Sequence, residues 1–245
     1  MSRIALIVAL VSCLTLAGCA APNIKHEYSM APGAGHHSGI TRALALPINE
    51  TAKTARGLDS ADEAVARLQK EYLESKGITV DQPALRSYRR AFAVASDRVN
   101  KQRMSGEAGS TSSAISYGDL VPTLIQELES DAQIVIISNV VMRTGEYIGG
   151  KVMRWDGVTR REKVGTGMIS GAVPVASIHS IVYDAKGNEV LSGYGGLDAI
   201  FETNIAKRRY DLKEDLLQDE GFIRERICIS FHPYFGSEEY CRGLR

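Results

Sequence analysis

Hydrophobic and polar positions along this chain follow two periods, and the places where the period changes mark out its elements. Ile4 to Leu16 is an almost unbroken apolar run that follows Arg3 and stops at the small residues Ala17 and Gly18. It is too short to span a bilayer as a permanent helix and has the shape of a secretory signal core. From Ala20 to Gly39 the apolar period gives way to Pro, Gly, Ala, His and Ser, which predicts a flexible tether with a mean reach of about 25 Å. Arg42 to Asn49 is apolar on both parities and predicts a strand inside a sheet, with Pro47 at its exit. Ser60, Asp62 and Glu63 then fit a capping box, and Ala61, Val65, Leu68 and Tyr72 recur at helical spacing until Gly77. Ile78 to Val80 predicts a short strand. Pro83 opens a second helix with Leu85, Tyr88, Phe92, Ala95 and Val99 along one face.

Between Gln102 and Ser113 only Met104 is large and apolar. Such a segment cannot bury enough surface to offset its ordering, and a mobile loop is expected near 102–114. Ser116 or Asp119 caps a third helix carrying Leu120, Leu124 and Leu128, with Pro122 in its first turn. Gln133 to Met142 is the strongest strand signal in the chain, rich in β-branched and apolar residues, and is expected at the centre of the sheet. Asp156-Gly157 between two strand-like arms predicts one hairpin. Asp184 to Asn188 predicts a second, joining Val173–Tyr183 to Glu189–Tyr194. From Leu197 to Phe235 the composition reads as helical, divided near Gly221, with Ile200, Ile205, Leu212, Leu216, Leu217, Phe222, Ile223, Ile227 and Phe231 as core positions.

These elements add up to an α+β fold, a two-layer or three-layer α/β sandwich in which a mixed sheet with long hairpins packs against several helices. The organisation expected is a signal peptide over 1–18, a tether over 19–39 and a single domain over 40–245. About 225 residues suffice for one substantial core.

Composition removes several functions. The chain has 29 basic and 29 acidic residues, so there is no electrostatic case for nucleic acid. Arg86, Arg89, Arg90, Arg98, Lys101 and Arg103 gather on one face of the second helix, a basic patch open to solvent, an anionic lipid surface or an acidic partner. No phosphate-binding glycine loop, nucleophile elbow, His-Glu-x-x-His or Cys-x-x-Cys occurs. His36 and His37 lack a neighbouring ligand at metal spacing. No catalytic, cofactor-binding or metal-ligating set is therefore assigned, and the chain reads as no enzyme. The alternative enzyme, acting on envelope material, would build its site on His179, Asp184 and a serine.

Leu16-Ala17-Gly18-Cys19 resembles the lipobox of bacterial lipoproteins, whose cysteine is alkylated with diacylglycerol and becomes the first mature residue. The resemblance makes Cys19 a lipidated amino terminus with three acyl chains in the bilayer. With Ala20 and Ala21 after it, and no Asp in the position that retains lipoproteins at the inner membrane, it implies attachment to the outer membrane with the domain facing the periplasm. In that oxidising compartment the two remaining cysteines, Cys228 and Cys241, are expected to pair, two buried thiols being the alternative.

The order of elements also resembles a group of envelope proteins: the curli-secretion lipoprotein, the amino-terminal domain of the Tol-system periplasmic protein, and lipoprotein activators of penicillin-binding proteins. The likeness is carried by a strand ending in Leu46-Pro47, a strand entered through Ser130-Asp131-Ala132, and the turn Tyr183 to Val190. It implies a mixed sheet packed on two or more helices, and a binding or assembly role with another envelope protein or within a homo-oligomer. A pore built from Lys151 to Lys163 is excluded, because charges fall on both parities of that hairpin.

Overall fold

A computed structural model of the chain describes residues 27–32, 34, 39–49, 62–105, 115–148, 152–161, 171–204 and 209–244. Ten strands and five helices are formed among these residues: β1 (Tyr28–Met30), β2 (Arg42–Ala45), α1 (Asp62–Glu74), β3 (Thr79–Asp81), α2 (Leu85–Met104), α3 (Tyr117–Glu127), β4 (Ile134–Ile148), β5 (Val152–Trp155), β6 (Val158–Arg161), β7 (Ala172–Asp184), β8 (Glu189–Ala199), β9 (Phe201–Asn204), β10 (Arg209–Leu212), α4 (Glu220–Ser230) and α5 (Glu238–Arg242). The fold is α+β, as the pattern predicts. Eight strands make one mixed sheet in the order β1-β8-β7-β4-β2-β3, with β5 and β6 branching from β4, while β9 and β10 pair separately.

The apolar parity of β4 explains why helices cover both faces. Ile134, Ile136 and Val140 point into a core shared with α1, α4 and α5 through Leu68, Tyr72, Ile223, Ile227 and Cys241. Val135 and Ile137 point the other way, against Tyr88, Ala95 and Val99 of α2 and Leu120 and Leu124 of α3. A strand apolar on both faces must be covered on both, so this part of the molecule takes the three-layer form. The parallel pairs β2 with β3 and β2 with β4 lie here, and every other pairing is antiparallel. Ser116 caps α3, accepting from the Asp119 N–H while the Asp119 carboxylate accepts from the Ser116 N–H, a complete capping box. Pro122 stands within α3 beyond its first turn, leaving the Gly118 carbonyl without its helical donor.

Other features also differ from the sequence reading. Tyr28–Met30, placed in the tether, adds as a strand to the edge of β8; with only three residues its period is invisible, and backbone pairing stabilises it. α2 continues to Met104, into the segment expected to be a mobile loop, and 106–114 lie outside the described residues. β4 runs past Met142 to Ile148 because β7 pairs with it from Ile134 with Asp184 to Glu146 with Ala172, and β5 pairs with its last residues, Glu146 to Ile148. The segment after Leu197 is largely not helical: β8 reaches Ala199, β9 and β10 follow, and the helix is confined to α4. Ile200 does enter the core, as expected, but just past the end of a strand, and Leu197 joins it from β8. Gly221 sits in the first turn of α4 behind the Asp219 cap instead of dividing a helix.

Candidate functional site

The Asp156-Gly157 hairpin is present, with both residues at positive φ, 32° and 79°, the backbone a two-residue turn requires. It acts as a strap. β5 leaves the end of β4, and Met153, Trp155 and Val158 pack over Val175 and Ala199. Its tip is clasped at the sheet edge: the Asp156 carbonyl accepts the Gly196 N–H at 2.9 Å, and the Gly157 carbonyl accepts Arg226 Nη1 of α4 at 3.3 Å. Gly196 is required at this crossing, since a Cβ there would stand 2.5 Å from the Trp155 ring nitrogen.

Between the strap and the α2–α3 layer the sheet face is polar. Arg143 donates to both carboxylate oxygens of Asp156 at 3.1 Å, pairs with Glu27, and lies 4.0 Å over the Tyr194 ring. Ser177 donates to the same Asp156 at 2.6 Å. His179 stacks flat on Tyr194, ring centroids 4.2 Å apart, with Nε2 2.8 Å from Ser192 Oγ. Burial, and then the Arg143 cation, hold the His179 pKa below its ordinary value, so the ring is neutral near pH 7.

A cleft of about 710 Å³ opens beyond the strap, lined by Thr159, Arg160, Arg161, Asp198, Lys213, Asp215, Gln218, Asp219 and Phe222. Asp198 organises its floor. One oxygen accepts Arg160 Nη1 and the Ala199 N–H, both at 2.8 Å; the other accepts Lys213 Nζ at 2.8 Å and the Leu217 N–H at 3.3 Å. Burial opposes the charge on Lys213, but Asp198, helped by Asp215, outweighs it and raises the Lys213 pKa. Donors, acceptors and one aromatic edge thus line a groove of balanced charge, suited to a polar molecule with many hydroxyls or amides. A smaller cleft of about 380 Å³ lies at the carboxyl end of β2, lined by Leu46, Pro47, Ile48, Asp62, Glu63, Ala66 and Leu85.

The residues singled out by sequence are separated. His179 and Asp184 are five positions apart on β7, about 17 Å of extended strand. Asp184 belongs to its turn, where it accepts the N–H groups of Lys186 and Asn188 at 2.9 Å and the Asn188 amide at 2.8 Å. Neither residue lines a described cleft. Of the basic face on α2, Arg98 is held by Gln126 and Glu127, Lys101 by Asp97 and Arg103 by Asp119, while Arg86 and Arg90 are exposed. Cys228 and Cys241 form a disulfide with Cα atoms 5.4 Å apart, joining α4 to α5. Cys19, His36 and His37 lie outside the described residues. Among the described residues no cluster of metal ligands occurs, and no helix is long and apolar enough to cross a membrane.

Sequence reasoning missed Asp156, Ser177 and Asp198, three buried polar residues. The turn at Asp156 was legible, its burial was not, because a carboxylate reads as exposed until its partners are known.

No family model matches the chain, and no curated protein is found to be similar. Solved structures do match. Two crystal forms of the PelC dodecamer from Paraburkholderia phytofirmans, one of them a point variant, are 13% and 12% identical, with TM-scores of 0.39 and 0.37. Each match covers 86% of this chain and 99% of the PelC chain.

Proposed function

We propose that this chain is an envelope lipoprotein in which an acylated Cys19 holds an α+β domain at the outer membrane, facing the periplasm, as a non-catalytic binding or assembly module. The observation that carries the reading is the Cys228–Cys241 disulfide, which belongs to an oxidising compartment and so agrees with the export implied by Leu16-Ala17-Gly18-Cys19. Several acyl chains, at about 0.8 kcal/mol per buried methylene, anchor a protein without a transmembrane helix. The domain offers a partner its balanced-charge cleft and the exposed guanidinium groups of Arg86 and Arg90. The group of curli-secretion, Tol-system and penicillin-binding-protein-activator domains, which the element order resembles, works by such contacts.

Metabolic labelling with palmitate, followed by membrane fractionation, tests the anchor. The native chain should carry label in the outer-membrane fraction, and Cys19→Ser should lose the label; an unlabelled native chain would end this reading. Crosslinking in intact cells should then attach a specific envelope protein. Light scattering of the unlipidated domain separates a module that acts singly from a subunit of a homo-oligomer.

A further inference from the structure

The strand β1 shortens the leash of the molecule. Glu27 is already fixed to the sheet, its carbonyl accepting the Tyr194 N–H at 3.1 Å, and it lies only eight positions after Cys19. Fully extended, eight residues reach no more than about 28 Å. β1 runs antiparallel to β8, so its amino-terminal end points along the sheet toward Ala199 and the end of β4.

The sheet extends far in that direction. Tyr194 stands level with His179, and His179 with Asn139 of β4. Ile148 lies nine residues beyond Asn139, which at about 3.4 Å per residue is about 30 Å. The arm formed by the end of β4, the start of β7 and the strap is therefore as long as the leash beside it.

Among the described residues, nothing covers one face of this arm. The odd positions Gly145 and Tyr147 turn toward the strap, whereas Met142, Thr144, Glu146 and Ile148 are exposed, with Ala172 and Pro174 exposed beside them on β7. Met142 is 58% exposed and Ile148 44%. The strap adds cations at the same end: Arg154 and Arg161 share the register face of Glu146 and Ile148, whereas Arg160 is held by Asp198 and Asp156 is paired with Arg143.

We infer that the arm is a membrane-contact surface, with Met142 and Ile148 lying against the bilayer that holds Cys19 and Arg154 and Arg161 facing anionic headgroups. This rests on the lipoprotein reading, because the leash has meaning only if Cys19 is anchored. With the arm as long as the leash, a domain that stands with its arm toward the membrane cannot hold the arm tip clear of the headgroups. The apolar side chains then sit at the boundary where such groups gain from burial and arginines from anionic lipid. The strap does not cross the bilayer, since its apolar side chains are already spent on Val175 and Ala199.

The full lipidated chain reconstituted into vesicles of phosphatidylethanolamine and phosphatidylglycerol at a ratio of about three to one gives the test. An environment-sensitive fluorophore is attached through Ile148→Cys at the arm tip, or through Asn188→Cys in the turn at the opposite end of the sheet. Both sites are at the surface, and the native pair Cys228–Cys241 is already oxidised. Flotation of the vesicles reports the anchor, and quenching by lipid-borne spin labels reports contact. The inference expects the Ile148 probe to be blue-shifted and quenched several-fold more than the Asn188 probe, and Met142→Glu to reduce that difference. Protein that floats with both probes equally open to water would overturn the membrane contact while leaving the anchor intact. Protein that fails to float would overturn both.

Discussion

At the scale of single residues, the polar seam under the strap shows how a titratable group is tuned by what surrounds it. His179 is flat against Tyr194, bonded to Ser192, and close to Arg143, Glu27 and Asp156. Burial and the Arg143 cation disfavour its protonated form, while Glu27 and Asp156 offset them only in part. The folded pKa therefore lies below the unfolded value of about 6.5. Between the two values the unfolded chain binds more protons, so stability rises with pH there. The contribution of His179 is complete above about pH 6.5 and is lost as pH falls through that value toward the folded pKa. Urea midpoints should accordingly drop between pH 7 and pH 5, and His179→Gln should flatten that slope. An equally steep slope in the variant would place the titration elsewhere.

At the scale of elements, close approach matters as much as hydrophobic period. Helix α4 lies directly on β8, and a Cβ at Gly195 would come within 2.1 Å of the Arg226 carbonyl oxygen, one at Gly193 within 2.3 Å of the Ser230 carbonyl oxygen. Where the helix touches down, Ser230 Oγ meets Ser180 Oγ at 2.8 Å, and Ser180 meets Ser138 at 3.2 Å, so the buried hydroxyls satisfy one another. Gly195→Ala must move α4 off the sheet and should cost about 3 kcal/mol in denaturant unfolding. Gly236→Ala, whose Cβ would make ordinary contacts no closer than 3.5 Å, should stay within about 0.5 kcal/mol of the native chain. Equal effects at the two positions would refute this packing. The same physics decides what the sequence could reveal. Long apolar β4, amphipathic α1 and α2, and both Asp-centred turns carry their own period or turn chemistry and are read correctly. β1 and the far half of β4 owe their form to partners that lie elsewhere in the sequence, and β9–β10 is a short local pair whose residues carry no alternating period. The seam of Arg143, Asp156 and Ser177 and the Asp198 floor of the cleft were illegible for a related reason. Each charge is buried only because its counter-charge arrives from another strand.

For the whole molecule, the question is what keeps the carboxy-terminal end closed over the core. Helix α5 spans only Glu238–Arg242 and cannot be stable alone. It is held by the Cys228–Cys241 bond, by packing of Cys241 among Tyr72, Phe231 and Phe235, and by Lys76 set 3.4 Å over the Tyr240 ring. The bond closes a loop with a sequence separation of 13, for which loop entropy gives about 3 kcal/mol. Both sulfurs are buried, so reductant acts only when α5 opens. Native protein should resist alkylation without reductant, and two thiols should become labelled once it is unfolded and reduced. The urea midpoint of the reduced chain should fall by an amount equivalent to about 3 kcal/mol, or about 1 to 2 M for a typical urea slope. A reduced chain with two alkylated thiols and an unchanged midpoint would show that packing alone holds α5. The disulfide would then lose its structural role, while its formation would still mark an oxidising compartment.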